Sequence, residues 1–198
     1  MTQVLHPHPA TPLALACSVH ATAHWRGAQR LALRYELTGT LQALRLPAVV
    51  AQPTRRDGLW QNSCFELFMR GPGQHAYLEA NFSPSGHWAA WVFRDYRVNP
   101  VAIDMAPPQL VLPRRDDTAL VLEAELTFNE ELLARLQPGA QDASQCAWQL
   151  GLTAVLESRE SELGYWALAH PRERPDFHDA AGHVYALPAR QDDSRRLA

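Results

Sequence analysis

Cysteine is scarce in this chain, with only Cys17, Cys64 and Cys146 among 198 residues. The three form no CxxC pair and no metal-ligand spacing, and their odd number argues against a disulfide framework, so buried reduced thiols are expected. Charge of one sign is also lacking. A formal net charge of -3 and a pI near 6.3 give no basic footprint for nucleic acid or an anionic membrane. The pairs Arg55-Arg56 and Arg114-Arg115 stand apart and read as solvated loops. No apolar run approaches the length of a bilayer span. The start, MTQVLHPHPATPLALACSV, has an apolar stretch before Cys17 but no basic segment ahead of it. Pro7, Pro9 and Pro12 interrupt it, and Ala14 stands where a lipoprotein cleavage site wants a larger aliphatic, so a cytoplasmic protein is expected. Nucleophile elbow, HExxH, phosphate loop and dinucleotide fingerprint are all absent, and a non-enzyme is expected.

What is present is alternation of period two, the mark of half-buried strands. Leu13, Leu15, Cys17 and Val19 share one face, and Leu31, Leu33, Tyr35 and Leu37 share another opposite Arg30, Arg34 and Glu36. These predict an antiparallel pair joined at Arg26-Gly27. Leu120, Leu122, Ala124, Leu126 and Phe128 repeat the pattern, as do Trp148, Leu150, Leu152, Ala154 and Leu156. One segment, FNEELLARLQPG, predicts a short helix capped by Asn129, with Glu130 and Glu131 in its first turn and Gly139 beyond its end. The expected fold is all-β: an antiparallel β-sandwich, immunoglobulin-like or jelly-roll, with that one helix. Residues 1–11, rich in Pro and His, read as a loose lead-in, 12–188 as the domain and 189–198 as a frayed tail. DMAPPQLVLPRRDD reads as a long loop.

Residues 60–97, WQNSCFELFMRGPGQHAYLEANFSPSGHWAAWVFRDYR, predict three strands in a meander with tight turns at RGPGQ and SPSG. Side chains alternate across a strand, so Phe65, Leu67 and Met69 face one way and Cys64, Glu66 and Phe68 the other. Leu78, Ala80 and Phe82 oppose Tyr77, Glu79, Asn81 and Ser83. The polar side is expected to carry Glu66, Asn81 and Arg94, with Trp60, Trp88 and Tyr77 near its ends. A carboxylate, an amide and a guanidinium beside flat rings suit a sugar, whose C–H faces stack on aromatics and whose hydroxyls take polar groups. A solvated sheet face with a cross-strand Glu–Arg pair accounts for the same residues.

The run LWQNSCFELFM…YLEANFSPSGHWAAWVFRDYR, together with YWALAHP…PDFH, resembles the bacterial DOMON-like proteins related to family 9 carbohydrate-binding modules. The resemblance covers most of residues 12–188 and is densest at 57–97 and 164–187. It implies a sandwich with a binding surface on one sheet, where two tryptophans clamp a terminal sugar beside an acid, an arginine and an asparagine. Trp60 and Glu66 match the first tryptophan and its acid in spacing, Asn81 and Arg94 are the counterparts for the polar pair, and the second ring is Trp166 or Trp88. The implied function is a non-catalytic ligand-binding module for a small molecule or glycan, with no cofactor. A sandwich whose face or edge binds a protein partner is the alternative.

Nine histidines raise metal and haem. A haem would take Met69 with His170 or His178, and methionine on an apolar strand face is core filler far more often than an axial ligand. His20 and His24 lie in a strand segment and point one way, as a surface pair. HPRERPDFHD places His170, Asp176 and His178 in a proline-stiffened loop, a common location for binding groups. Phe177 plugging the sandwich end, capped by His178, is the other reading of that loop. Glu66 and Glu79 as a glycosidase pair would need a deep cleft, which a sheet face does not supply.

Overall fold

The alternating segments pair as their apolar stripes require, each strand laying its stripe against the same interior. The computed structural model describes residues 1–103, 106–137 and 147–188. In one layer, β2 (Cys17–Trp25) pairs with β3 (Arg30–Gly39) and β3 with β9 (Ala119–Thr127), all antiparallel. β8 (Gln109–Arg115) closes the far edge. The other layer runs β7 (Val101–Ala102), β6 (Trp88–Phe93), β5 (Tyr77–Phe82), β4 (Cys64–Arg70), β10 (Trp148–Glu157) and β11 (Leu163–Ala167). β12 (Tyr185–Leu187) pairs with the start of β10. The fold is thus an antiparallel β-sandwich with one short helix, as expected.

The two layers are one curled sheet, and the hinge is β1 (Gln3–Pro7). Gln3 to Leu5 pair with β2, while His6 and Pro7 pair with β11. The expectation of a loose lead-in over residues 1–11 is corrected here. A strand that changes partner half-way and buries only Leu5 leaves no periodic trace. DMAPPQLVLPRRDD is likewise not one loop, since β8 runs through it. The register of β8 shifts between Val111 and Arg114, at a proline, which an edge strand with a bulge tolerates. Arg115 at its end donates to the carbonyls of Leu46, Pro47 and Pro84, so it is no solvated loop residue.

Between the layers lies the core: Leu31, Leu33, Tyr35 and Leu37 face Phe65, Leu67, Met69 and the β10 stripe. The Tyr35 hydroxyl donates to the Glu66 carbonyl at 2.6 Å, and its ring stacks on Phe65 at 5.1 Å. Each apolar side chain of this size contributes on the order of 1.5–3 kcal/mol on burial, which is what holds the layers together. Helix α1 (Glu130–Leu136) shuts one end, burying Leu132, Leu133 and Leu136, and the Asn129 side chain accepts the Leu132 N–H at 2.8 Å as its N-cap. Cys17 and Cys64 are free thiols. Gly139, Cys146, Asp104, Met105 and the 189–198 tail lie outside the described residues. Among the described residues no helix is long and apolar enough to cross a membrane.

Candidate functional site

β4, β5 and β6 are buried on both faces. Their inward residues join the core. Their outward residues are covered by the chain after β11, residues 168–184, and by the turn after β6. Phe68, Tyr77 and Phe93 form a second apolar cluster there, with Trp91 and Phe177 packed on it. Tyr77 and Phe93 stack at 4.8 Å, and Phe177 meets Phe68 at 6.4 Å. Gly151 of β10 helps make the cover possible. A side chain there would meet the His183 ring at 2.7 Å, the ring that stacks on Phe68 at 5.4 Å.

The cover leaves a cleft of about 670 Å³ over the strands. Its floor is polar. Across the strand pairs Glu66 stands beside Asn81 on one side and Thr153 on the other, and Glu79 stands between Phe68 and Trp91. Glu66 is 3% exposed and Glu79 6%. Both line the cleft, so the enclosure that a bare sheet face was expected to lack is present around this pair. The Asn81 amide donates to Glu79 Oε1 at 2.9 Å. Glu66 Oε1, Asn81 Oδ1 and Thr153 Oγ1 are buried with no hydrogen-bond partner among the described residues. Such an atom costs on the order of 1–3 kcal/mol when nothing bonds it, and these three on adjoining strands are acceptors that a molecule in the cleft or water can serve. Burial, and then the proximity of Glu79, hold the Glu66 carboxyl well above the usual range, and burial raises Glu79 as well.

The walls carry the rings. Trp60 sits on a single 3₁₀ turn, Leu59–Gln61, that starts after Gly58 in the left-handed region at φ 75°. It is 48% exposed and lines the cleft with Trp91, Phe93, Tyr165 and Phe177. Arg97 comes from the turn after β6, where it and Asn99 have φ of 55° and 50°, a conformation side chains adopt rarely. The Arg97 N–H donates to the Tyr77 hydroxyl at 3.2 Å, and that hydroxyl lies 2.7 Å from His178 Nδ1. Since the phenol has its own proton to give, Nδ1 accepts and the neutral ring keeps its proton on Nε2, 3.6 Å from Glu79 Oε2. Burial, and then Arg97, bring His178 down to about 4, and burial pushes Tyr77 up to about 12, which keeps both neutral near pH 7. The Arg97 guanidinium pairs with Asp176 at 3.0 Å, and Asp176 also accepts from Tyr96 and from the His178 N–H. Burial raises the Asp176 carboxyl, but the hydrogen bonds from Tyr96 and Arg97 outweigh it and leave it below its ordinary range.

Of the eight residues singled out in the sequence, the structure brings Trp60, Glu66 and His178 to the cleft, with Asn81 beneath it. Four are placed elsewhere. Trp88 and Trp166 lie in the core between the layers, 7% and 6% exposed. Trp88 pairs with inward Phe82 and Trp166 with inward Ala154. Arg94 shares the parity of Trp88, so it was never on the outward face, and it is exposed in the turn beyond β6. His170 ties the covering chain to β1, its Nε2 lying 2.8 Å from the His6 carbonyl. Met69 points into the core, on the face of β4 opposite the one His178 meets, so the two cannot ligate one iron. His20 and His24 sit on the outward side of β2. Trp91, Arg97 and Tyr165 were missed, and Phe177, read from the sequence as a plug, packs on Phe68 and also lines the cleft. Trp91 was within reach of the parity rule, since Asn81 pairs with Ala89 and Glu79 with Trp91. Arg97 was not, because no period extends through a turn.

No family model matches the sequence, and comparison with curated proteins gives no match. Solved structures share its fold. A putative carbohydrate-binding protein from Bacteroides uniformis is similar with a TM-score of 0.64 over 95% of this chain and 85% of its own, at 14% identity. A family 9 carbohydrate-binding module from Caldicellulosiruptor kristjanssonii, in complex with cellotriose, is similar with a TM-score of 0.57 over 98% and 86%, at 7% identity. At these identities the likeness establishes architecture.

Proposed function

We propose that this protein is a non-catalytic module that binds a small carbohydrate, or a sugar-containing molecule, in the cleft over β4–β6. The observation that carries the reading is the juxtaposition of two indole rings, Trp60 and Trp91, with the buried carboxyl of Glu66, one of whose oxygens has no partner among the described residues. A pyranose has apolar C–H faces and hydroxyl edges; rings receive the first, and Glu66, Glu79, Arg97 and Tyr165 offer partners for the second. A volume of about 670 Å³ suits a small ligand. The sharing of a fold with a module in complex with cellotriose supports the same class of ligand. Kinship with the bacterial DOMON-like proteins belongs to this reading, supported by the spacing of Trp60 and Glu66.

Calorimetric titration of the full chain with glucose, cellobiose and cellotriose tests it. Saturable binding that falls at least about tenfold in Trp60→Ala is expected, as loss of a stacking ring removes some 1.4 kcal/mol or more. Binding unchanged by Trp60→Ala would remove the cleft from consideration.

A further inference from the structure

The charges around the cleft do not balance. Four elements bring ionisable groups to it: β4 brings Glu66, β5 brings Glu79, the turn after β6 brings Arg97, and the chain after β11 brings Asp176 and His178. Tyr165 on β11 and Tyr77 on β5 are neutral phenols, and Cys64, on the same face as Glu66, is a buried thiol. Arg97 already has its partner, Asp176 at 3.0 Å. His178 is neutral, its Nδ1 taking the Tyr77 hydroxyl. The guanidinium of Arg55 lies over the Trp91 ring, 5.3 Å from its centre, and pairs with the exposed Asp57 through Nη1 at 3.0 Å. Its Nε and Nη2 are buried without a partner among the described residues; it holds that side of Trp91 and bonds to neither floor carboxyl. Among the described residues neither floor carboxyl forms an ion pair with an arginine. Burial raises Glu79, and the Asn81 amide and then the nearby Arg97 lower it in part, but Glu66 has no such neighbour and one of its oxygens is buried and unpartnered. The rings of Trp60, Trp91, Phe93 and Tyr165 line the same cleft, Trp91 directly beside Glu79 across the strand pair. Aromatic faces attract cations, best of all indole, and the attraction grows where water is excluded.

We propose that the ligand carries an ammonium group, received between the ring faces with Glu66 and Glu79 as its counter-ions. Resting on the carbohydrate reading above, this makes the ligand an amino sugar. In the free protein a proton fills the place of the missing cation, because burial and the neighbouring Glu79 favour the neutral form of Glu66. On binding, the Glu66 O–H ionises, its proton passes to the buffer, and the carboxylate faces the ligand's ammonium. A uronic acid would add a third carboxylate to this floor and is rejected.

The test is calorimetry at about pH 6, where a sugar amine keeps its proton, in two buffers of different ionisation enthalpy. The probes are cellobiose, di-N-acetylchitobiose, its fully deacetylated disaccharide, and choline. The deacetylated disaccharide is expected to bind roughly tenfold or more tightly than either neutral one, the gain of a charge-assisted contact, and to release a proton. Glu66→Gln, nearly isosteric, is expected to abolish both the preference and the release; Glu79→Gln serves the same purpose should the first fail to fold. Cellobiose binding as tightly as the amine overturns the ammonium site while the carbohydrate reading stands. So does a preference that survives both Gln variants. Choline binding without any disaccharide supports the ammonium site and overturns the carbohydrate reading. If none of the four probes binds, both fall.

Discussion

The outward faces of the two layers use the same acids in opposite ways. On the β2–β3–β9 layer, Arg26 and Arg30 reach Glu125 at 3.4 and 3.3 Å, and Arg34 reaches Glu123 at 2.6 Å, all with access to water. On the β4–β6 layer, Glu66 and Glu79 lie under a covering chain, with no arginine among the described residues bonded to either. Solvated, a carboxylate is at ease and its pairing contributes little. Covered, it keeps a proton or needs a cation, as Glu157 has in Arg45, and a covered acid with no such partner is a candidate for binding. The same residue type is thus surface on one layer and site on the other, and the difference is made by what lies above it.

Four changes would break or sharpen that contrast. The largest effect belongs to Phe68→Ala. Phe68 is 1% exposed and packs on Phe177, His178 and His183, so its loss should cost about 3–5 kcal/mol in denaturant unfolding. A loss under about 1 kcal/mol, the level of a surface pair, would mean the outward face of β4 is no second core.

Next is the pH dependence of stability, where the covered face should show two opposing limbs. His178 and His183, at about 4 in the fold against 6.5 ordinarily, contribute stability that is present above 6.5 and lost as pH falls towards about 4. The slope is up to about 1.4 kcal/mol per pH unit for each proton. Glu66 and Glu79 are raised, so their contribution is full below the ordinary 4.5 and is lost as pH rises. In a urea series across this range, His178→Gln should flatten the acid limb by one proton. Glu66→Gln should gain on the parent as the buffer becomes more alkaline. A parallel pair of curves for Glu66→Gln and the parent would show that this carboxyl is not perturbed.

Trp60→Ala comes third. With the ring half exposed, thermal melts should move within about 0.5 kcal/mol of the parent, while sugar affinity falls. Unfolding of the variant would make Trp60 packing. The smallest effect is expected of Arg34→Ala on the solvated layer, under about 1 kcal/mol by the same melts. A larger loss would show that its contacts with Glu36 and Glu123 act as more than a screened surface pair.

Much of the sandwich was legible in the chain because a strand half in water writes its burial in alternate letters. β3 and β9 are such strands, and the Asn129 cap and its helix follow equally local rules. Legibility failed where a residue's surroundings come from far along the chain. β1 pairs with two strands distant from it in sequence. Glu66 looked like a polar residue on a strand's wet side, and parity placed it correctly, but its 3% exposure depends on residues about a hundred positions later. Trp88 and Trp91 are equally aromatic and, three apart on one strand, face opposite ways by parity, but that one of those faces is covered and forms a cleft depends on the chain after β11.

The sequence by itself determined an antiparallel β-sandwich, the meander of β4 to β6, the inward stripes, and the outward position of Glu66, Glu79 and Asn81. Those follow from alternation, turn chemistry and capping, interactions that span a few residues. Only the tertiary structure decided that the outward face bearing Trp91 is enclosed as a cleft, that Trp166 lies in the core, and that Arg97 from the following turn lines the cleft while paired with Asp176. The physical reason is that enclosure is not a local property. A cleft exists where segments far apart in the chain close over one sheet face, and the burial that perturbs Glu66, Glu79 and His178 arises only when they do.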